Sequence, residues 1–299
     1  MADIQSNVQD PILDDALVLS LVRRHVPEAQ SVTGIDETGG EARTYAVDEL
    51  IILKTQRPHK IRPSTSLEKE AFFLRELEKY PDISVPRVLG YGREGSIEYT
   101  CMSRIPGIAV KYASLAFEAR NNMLIELGKR LRRIHGAVQQ PFIESGLFPG
   151  DRTFEDTKTR LKSAFDKEIG KIVLRGNADE IELAQGIATK ALAHLPDNDV
   201  LVAVHANPAT THTFVDPETG HYTGTIDFGD AYISHPVFDL RRWGLLDRGT
   251  LLAGYVSEKP VSEEFMRVWD VVQILDSFTV SSNKENMSAD LAAILEKLS

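Results

Sequence analysis

The candidate catalytic residues of this chain are concentrated in one stretch, residues 201–239. Asp227 opens an Asp-Phe-Gly sequence after a strand-like segment, and Mg²⁺ prefers hard carboxylate oxygens of this kind. Upstream, His205, Asn207 and His212 occupy a polar loop that follows a short apolar run. An Asp in this context can also be a turn residue in an unrelated fold. Together with the loop, however, it favours a metal-assisted site.

A hairpin has to bring the two halves of this stretch together. The strand-like segments 213–216 and 222–227 are joined by Pro-Glu-Thr-Gly, in which proline fixes one φ angle and glycine permits an unusual one. Such a hairpin places the polar loop before it and Asp227 after it at one edge. We therefore expect His205, Asn207 and Asp227 to share a site.

A lysine and a glutamate in the first third of the chain stand at the ends of apolar patterns, and the family resemblance given below implies that they pair. Lys54 ends the apolar run 50–54, where a lysine is ordinarily a solvated end residue. Glu70 stands at the edge of the buried face of a predicted helix that starts with a capping-box pattern, Thr65 to Glu68. Glu68 is the alternative partner for Lys54, but the capping pattern already gives it a role.

These motifs resemble those of the aminoglycoside phosphotransferase family, a branch of the protein-kinase-like fold. Ile226-Asp227-Phe228-Gly229-Asp230 matches one family motif in full, residues 236–240 match a later Pro-x-x-Asp-Leu, and His205 matches the start of the catalytic loop. The resemblance covers about residues 30–280. It implies an α+β, bilobal fold with an N-terminal antiparallel sheet plus one main helix, followed by a larger helical lobe.

The resemblance also implies a nucleotide site, with ATP or GTP as the phosphate donor and Mg²⁺ as the metal. Lys54 would contact the phosphates and pair with Glu70, and the two residues have the family's order and spacing. The turn at Gly39 and Gly40 would cover the nucleotide through its backbone N–H groups, although two adjacent glycines are more often just a turn. We expect Lys54 and Asp227 to converge across a cleft wide enough for a triphosphate.

The segment Met102 to Gly107 is similar to the family's hinge between the lobes. The resemblance implies that main-chain groups of Ser103, Arg104 and Ile105 bind the adenine ring. It divides the chain into an N-terminal nucleotide-binding lobe, residues 1–105, and a C-terminal helical lobe with the catalytic loop and substrate cleft, residues 106–299.

In the C-terminal lobe the resemblance assigns Asp227 and His212 to the metal and Asp239 to a structural anchor for the catalytic loop. Two positions depart from the family pattern: Asn207 replaces the catalytic Asp, and His212 replaces a metal-binding Asn. Imidazole is a poorer ligand for Mg²⁺ than an amide or carboxylate oxygen, so His212 could instead contact phosphate. Ala206 also stands where the family has Gly.

Asn207 leaves three interpretations open, because an amide accepts a hydrogen bond but is not a usable base. The protein could be a weak or altered kinase in which His205 or Asp230 takes the catalytic role. It could be a pseudokinase that binds nucleotide without phosphotransfer. It could also carry an Asp-to-Asn change made to trap a complex, although several neighbouring departures favour a divergent subfamily.

Composition limits the function classes. The net charge of −10 argues against nonspecific binding to nucleic acid and suits a small-molecule acceptor, possibly a cationic one. No apolar run is long enough to span a bilayer, so we expect no membrane partner, and the acidic N-terminus does not resemble a secretory signal. The single cysteine, Cys101, suits a reducing cytoplasm. Nothing in the sequence indicates the oligomeric state.

Hydrophobic periodicity predicts the remaining elements. The predicted helices are residues 11–27, 154–173, 178–195, 240–256 and 263–278, together with a helical stripe from 123 to 134. The predicted strands of the first lobe are residues 44–47, 50–53, 85–90 and 97–102.

Overall fold

The structure is a computed structural model, and it describes residues 10–58, 66–283 and 287–297. Its N-terminal strands are β1 (Val32–Asp36), β2 (Ala42–Val47), β3 (Ile51–Gln56), β4 (Val88–Glu94) and β5 (Ile97–Ser103). They form one antiparallel sheet in the order β1-β2-β3-β5-β4. Buried and half-buried residues alternate along β3, which places Lys54 on the half-buried face of the sheet.

Two helices accompany this sheet, α1 (Asp15–Arg23) and α2 (Leu67–Leu77). The N-cap of α2 is Ser66, whose side chain accepts a hydrogen bond from the backbone N–H of Lys69 at 3.0 Å. The predicted capping box started one residue too early, because the N-cap is Ser66 and not Thr65. Thr65 itself lies outside the described residues. Glu68 is the second residue of α2 and lies 3.7 Å from Arg93 instead. Its neighbour Glu70 faces inward and is buried.

The C-terminal part is mainly helical. Its helices are α3 (Phe117–His135), α4 (Gln140–Glu144), α5 (Phe154–Val173), α6 (Ala178–Ala193), α7 (Val237–Leu240), α8 (Leu245–Glu258), α9 (Glu263–Ser281) and α10 (Ser288–Lys297). Its short strands are β6 (Ile108–Ala109), β7 (Val202–Val204), β8 (Thr213–Val215), β9 (Tyr222–Thr225) and β10 (Tyr232–Ser234). They pair as β6-β8-β9 and β10-β7, so the predicted hairpin is present as β8 and β9. The α+β fold class expected from the sequence is confirmed.

The chain passes from the sheet to the helical part through a close crossing at Gly107. Its φ angle is +90°, and a Cβ atom there would lie 2.1 Å from the carbonyl oxygen of Val215 on β8. Glycine is therefore required at this position for both conformation and space. The crossing fixes β6, directly after the sheet, against the hairpin that carries the catalytic loop and Asp227.

Most long predicted helices are present, and the main difference is a break near Trp243. Residues 154–173 form α5 as predicted. The helix predicted for residues 240–256 begins later, at Leu245, because residues 241–244 are not helical and separate α8 from the short α7. Arg248 on α8 donates to the carbonyl oxygens of Arg241 and Trp243 in this connection. The short α4 and the C-terminal α10 were not predicted, and α1 is shorter than residues 11–27.

An aromatic cluster joins α2 to the segment that follows Asp227. The ring centroids of Phe73 and Phe228 lie 4.8 Å apart, and Phe142 packs against Phe73 at 4.7 Å. This contact places Glu70, one turn before Phe73, next to the Asp-Phe-Gly turn. Within the described ranges, no helix is both long enough and apolar enough to cross a membrane.

Candidate active site

Lys54, Glu70 and Asp227 converge on one point between the sheet and the helical part. The Nζ of Lys54 lies 2.8 Å from Oε2 and 3.1 Å from Oε1 of Glu70, and 2.8 Å from Oδ1 of Asp227. Glu70 is fully buried, whereas the side chain of Asp227 is 38% exposed. The predicted pairing of Lys54 with Glu70 is therefore present. Lys54 and Asp227 touch directly and are not separated by an open gap.

The charges of this triad strongly perturb one another. Lys54 lowers the pKa of Asp227 well below its ordinary value, because its positive charge outweighs the effect of burial. Burial alone would lower the pKa of Lys54, but the charges of Asp227 and Glu70 raise it above its ordinary range. Burial raises the pKa of Glu70, and the attraction of Lys54 opposes this rise. The three groups thus hold a permanent ammonium at the centre of the site.

Asp227 has a strained backbone, with φ +73° and ψ +66° in the left-handed region. A non-glycine residue in this conformation costs on the order of 1 kcal/mol and is common at functional sites. The conformation follows the end of β9 and begins the short 3₁₀ turn from Phe228 to Asp230. Asp230 therefore lies in the same turn as Asp227 and is half-buried.

Asp239 anchors the catalytic loop, as the resemblance implied. Its two carboxylate oxygens accept hydrogen bonds from the backbone N–H groups of His205 and Ala206, each at 2.8 Å. The same carboxylate lies 2.9 Å from Nε2 of His135. All four of these residues are buried. Burial raises the pKa of Asp239, but the hydrogen bonds with His135 and the loop lower it overall. Ala206 has φ +78°, a second strained residue held in place by this carboxylate.

His205 has no ring nitrogen left for a substrate. Its Nε2 lies 2.9 Å from the carbonyl oxygen of Ile226, and its Nδ1 accepts from the backbone N–H of Asn207 at 3.3 Å. A carbonyl oxygen only accepts, so Nε2 carries the proton. Burial also lowers the pKa of His205, which keeps the ring neutral. These hydrogen bonds argue against His205 as a base and connect the loop to the end of β9.

Asn207 lies at the position predicted for the catalytic residue, and its side chain is half-buried. Its backbone carbonyl accepts a hydrogen bond from Nδ1 of His212 at 2.8 Å. Its side-chain amide makes no hydrogen bond to any residue that the structure describes. The amide is therefore available to a ligand, although it cannot take a proton as a carboxylate would.

His212 lies against Asp227, with Nε2 3.2 Å from Oδ2. Because Nδ1 donates to a carbonyl, the neutral ring presents the lone pair of Nε2 to the carboxylate. Two atoms that both present lone pairs repel each other at this distance. A cation bound between them would remove the repulsion. Among the described residues, no group of three or more His, Cys, Asp or Glu could hold a metal ion. Mg²⁺ is commonly bound by one or two carboxylates plus phosphate oxygens, so Asp227 fits a metal of that kind, whereas the imidazole of His212 is a poorer ligand for it.

The predicted nucleotide-covering turn lies between β1 and β2, at the end of the sheet near Lys54. Thr44 on β2 pairs with Lys54, and the turn precedes it by four residues. Gly39 requires glycine, since a Cβ there would lie 2.7 Å from the carbonyl oxygen of Ala42, whereas Gly40 faces open space. Arg57 donates to the carbonyl oxygen of Gly39 at 3.3 Å and thereby braces the turn.

Two backbone N–H groups of the predicted hinge already donate hydrogen bonds to the sheet or its connections. The N–H of Ser103 donates to the carbonyl oxygen of Arg87 at 2.9 Å, and the N–H of Arg104 donates to that of Leu50 at 2.7 Å. For the N–H of Ile105, no acceptor is found among the described residues. Among the three residues, Ile105 is therefore the one whose backbone N–H is available to donate to a ligand.

Two supporting residues were not predicted from the sequence, one at the catalytic loop and one at the turn after Asp227. The indole Nε1 of Trp243 donates to the carbonyl oxygen of Pro208 at 2.7 Å, directly after Asn207. The buried ammonium of Lys69 donates to the carbonyl oxygen of Ala231 at 2.9 Å, next to Asp230. Trp243 could have been noticed as a tryptophan beside the Pro-x-x-Asp-Leu motif, whereas nothing in the spacing pointed to Lys69.

The fold is similar to the GDP complex of an aminoglycoside 2'-phosphotransferase-IIIa mutant, with 14% identity and a TM-score of 0.64 over 95% of this chain and 97% of that one. It is also similar to the streptomycin-ATP ternary complex of APH(2")-IIa, with 17% identity and a TM-score of 0.56 over 96% and 97% of the two chains.

A third similar structure is the apoenzyme of macrolide 2'-phosphotransferase MphH from Brachybacterium faecium. Its identity is 17% and its TM-score 0.58, and the match covers 93% of this chain and 97% of that chain. These likenesses concern the fold, and no curated protein matches the chain in sequence. The sequence model of the phosphotransferase enzyme family, APH, matches residues 34–263, which is most of the chain. The chain therefore belongs to the APH phosphotransferase enzyme family.

Proposed function

We propose that this protein is a nucleotide-dependent phosphotransferase that moves the γ-phosphate of ATP or GTP to a hydroxyl group of a small molecule. The observation that carries the proposal is the convergence of Lys54 with Glu70 and Asp227. A buried ammonium between two carboxylates, one of them partly open to solvent, is a site prepared for phosphate and its counter-ion.

Nucleotide binding would exchange one contact of Lys54 for another. In the present structure Asp227 neutralises the ammonium, and a phosphate oxygen would take the place of that carboxylate. Glu70 would keep Lys54 in position, because it is fully buried and holds Nζ with both oxygens. The N–H of Ile105 is the main-chain donor we assign to the base, and we place the lobe boundary just after it, with residues 1–105 as the nucleotide-binding lobe. Similar structures were determined with GDP or with ATP, which supports a nucleotide donor.

We assign the metal to Asp227 and His212, through Oδ2 and Nε2. A divalent ion there would neutralise charge on the transferred phosphate. Asp227 supplies the carboxylate that Mg²⁺ prefers, whereas the imidazole of His212 also suits Mn²⁺ and later transition metals. The lowered pKa of Asp227 keeps its carboxylate ionised and able to bind a cation.

The transfer itself requires little covalent chemistry from the protein. The acceptor oxygen bonds to the γ-phosphorus while the bond from that phosphorus to the β–γ bridging oxygen breaks. Asn207 would accept a hydrogen bond from the acceptor hydroxyl and hold it in line. Because its amide takes no proton, the proton passes to solvent or phosphate. General-base help is worth about 10²–10⁴ in rate, so we expect turnover to be slow.

A second candidate, a nucleotide-binding pseudokinase, is favoured by two observations. Asn207 lacks a carboxylate, and His205 uses both ring nitrogens on the main chain. In this alternative the triad still binds nucleotide, but no group completes the transfer to an acceptor. Nucleotide binding is common to both candidates, and turnover separates them.

Binding is tested by thermal shift with ATP or GTP and a divalent metal. We expect a rise in melting temperature that is lost in Asp227→Ala. The matched control is Asp166→Ala, which removes an exposed carboxylate from the surface of α5. Equal shifts in both variants would contradict a nucleotide site at Asp227.

Turnover is tested by comparing the protein with its Asn207→Asp variant across hydroxylated acceptors. The phosphotransferase proposal predicts weak acceptor-dependent ATP consumption that rises by about a hundredfold when a carboxylate is restored. Nucleotide binding with no phosphotransfer in the original chain, followed by gain in the variant, would support the pseudokinase. No activity in either chain would remove the phosphotransferase proposal.

A further inference from the structure

Two arginines lie on the face of the N-terminal sheet that is opposite to Lys54. Buried and half-buried residues alternate along β2, so Arg43 and Thr44 point to opposite faces. Thr44 pairs with Lys54 and shares its face, which is the face toward the candidate site. Arg43 therefore lies on the other face, where its side chain is only 4% exposed. Arg57, which follows β3 directly, binds the same carboxylate as Arg43, that of Asp10.

The predicted nucleotide-covering turn, residues 37–41, is held largely by these two arginines. Strand pairing between β1 and β2 stops before the turn. The Nε and Nη2 atoms of Arg43 donate to Oε1 of Glu37 at 3.1 and 2.9 Å. Nη1 of Arg57 donates to the carbonyl oxygens of Glu37 and Gly39, each at 3.3 Å. The position of the turn thus depends on where the two guanidinium groups are held.

Asp10 holds both guanidinium groups from the side away from the turn. Its Oδ1 accepts from Nη1 of Arg43 at 3.2 Å, and its Oδ2 accepts from Nη2 of Arg43 at 3.0 Å and from Nε of Arg57 at 2.9 Å. Two parallel bonds between a carboxylate and a guanidinium fix the geometry of both groups. Burial raises the pKa of Asp10, but the hydrogen bonds from Arg57 and Arg43 lower it overall, so the carboxylate stays ionised.

The chain segment that begins at Asp10 is attached to the sheet by side chains of β2. The carbonyl oxygen of Pro11 accepts a hydrogen bond from Nη1 of Arg43 at 3.0 Å. The backbone N–H of Leu13 donates to the hydroxyl oxygen of Tyr45 at 2.9 Å. The segment before α1 is therefore part of the structure that supports the turn.

The charges of this network balance among four side chains. Arg43 and Arg57 carry two positive charges, and Asp10 and Glu37 carry two negative ones. The side chains of Arg43 and Arg57 are 4% and 12% exposed, so water would screen an uncompensated positive charge poorly. Without a carboxylate at residue 10, we expect a guanidinium group to turn toward solvent and to release its contacts with the turn.

We propose that Asp10 is a positioning residue for the nucleotide phosphates, because the two arginines that it holds keep the turn at residues 37–41 where backbone N–H groups reach phosphate. The inference rests on the proposed nucleotide site. Asp10 lies on the face of the sheet opposite to Lys54, so it acts on the nucleotide only through the turn. Since the turn would cover the phosphates and not the base, loss of Asp10 should weaken phosphate-bearing ligands selectively.

The test compares an ATP analogue with adenosine. Calorimetry measures the binding of adenylyl imidodiphosphate with Mg²⁺, and of adenosine, to the unmodified protein and to Asp10→Asn, which removes the charge and keeps the shape of the side chain. We expect the affinity for the analogue to fall at least about fivefold and that for adenosine to change less than about twofold. Without ligand, hydrogen–deuterium exchange of residues 37–41 should be faster in the variant.

Three further variants connect the effect to the network. Glu94→Gln is the matched control, because it removes one carboxylate charge from an exposed ion pair of the same sheet, and it should leave binding and exchange unchanged. Asp10→Glu restores the charge and should recover part of the affinity for the analogue. Glu37→Gln perturbs the network from the turn, where the side chain is 44% exposed, and should also weaken the analogue selectively. It answers the same question if Asp10→Asn does not fold.

Three outcomes would overturn the inference. They are an unchanged affinity for the analogue in Asp10→Asn, an equal loss of affinity for the analogue and for adenosine, and unchanged exchange of residues 37–41. If the unmodified protein binds neither ligand, the proposed nucleotide site is refuted, and the role of Asp10 toward phosphate falls with it. If the unmodified protein and Asp10→Asn bind the analogue equally well, the nucleotide site stands and only the role of Asp10 is refuted.

Discussion

Lys54 and Asp227 are separated by 173 residues in the chain, yet their Nζ and Oδ1 atoms lie 2.8 Å apart. The first comes from an internal strand of the sheet and the second from the turn after a hairpin in the helical part. Their contact therefore exists only when both parts are folded and correctly placed. Glu70 on α2 completes the contact from within the core.

Removal of Lys54 should destabilise the fold as well as weaken nucleotide binding. In Lys54→Met the buried Glu70 loses its counter-charge, and breaking a buried pair in this way costs about 3–5 kcal/mol. Urea unfolding measures the loss. The double variant Lys54→Met/Glu70→Gln removes the stranded charge, so we expect its loss to be smaller than that of Lys54→Met alone. A strictly additive double variant would contradict the coupling.

Replacing Ala206 with glycine should stabilise the protein, whereas replacing an alanine with glycine ordinarily destabilises a protein. Its φ of +78° strains an alanine but not a glycine, so Ala206→Gly should stabilise the protein by about 0.5–1 kcal/mol. The control is Ala203→Gly, three residues earlier in the extended strand β7, which should destabilise it by a similar amount. Denaturant midpoints of the two variants that move in the same direction would argue against backbone strain at Ala206.

His212 should set the metal preference of the nucleotide complex. Because its Nε2 lies beside Oδ2 of Asp227, we expect the protein with a non-hydrolysable ATP analogue to bind Mn²⁺ more tightly than Mg²⁺. His212→Asn supplies an amide oxygen and should shift the preference toward Mg²⁺. Electron paramagnetic resonance of bound Mn²⁺, with Mg²⁺ as competitor, measures the ratio without any turnover. An unchanged ratio would mean that His212 does not touch the metal.

His235 should make the fold less stable on mild acidification. Burial lowers the pKa of this side chain, although Asp199 at 2.8 Å opposes the shift. The unfolded chain binds a proton near about pH 6.5 while the folded chain does not. The stabilisation is therefore complete above that pH and is lost as the pH falls below it toward the lower folded-state pKa, by at most about 1.4 kcal/mol per pH unit.

The measurement is the free energy of unfolding in urea between about pH 8 and about pH 5. His235→Gln should show a shallower decline than the unmodified protein, because one of its buried neutral histidines is gone. His25 and His205, whose pKa values are also lowered by burial, should keep part of the decline in both proteins. Parallel curves would show that His235 contributes nothing.

The sequence predicted much of the fold and the convergence of Lys54, Glu70 and Asp227, because these depend on local pattern and motifs. The α+β class, the hairpin and helix α5 follow from periodicity and turn residues. Lys54, Glu70 and Asp227 were found because each lies in a motif. The hydrogen bonds that argue against His205 as a base could not be foreseen, because neither its burial nor the main-chain partners of its ring nitrogens are visible in a linear sequence.

The residues that support the site from outside were not predictable for a related reason. Asp10 and Arg57 are 47 residues apart, and an aspartate before a helix and an arginine after a strand are ordinarily solvated surface residues. Trp243, which contacts Pro208, lies in the non-helical connection between α7 and α8, where Arg248 also binds two carbonyl oxygens. Such contacts between distant residues leave no periodic signal.

The position of Trp243 also gives the protein a built-in optical reporter. The chain has two tryptophans, Trp243 and Trp269, and both are buried. In Trp269→Phe the remaining indole is the one with Arg120 on its face and the main chain beside Asn207 at its nitrogen. Emission from that single ring would register rearrangement of the loop that contains Asn207, so the rate of this change could be followed in a stopped-flow instrument without any added dye.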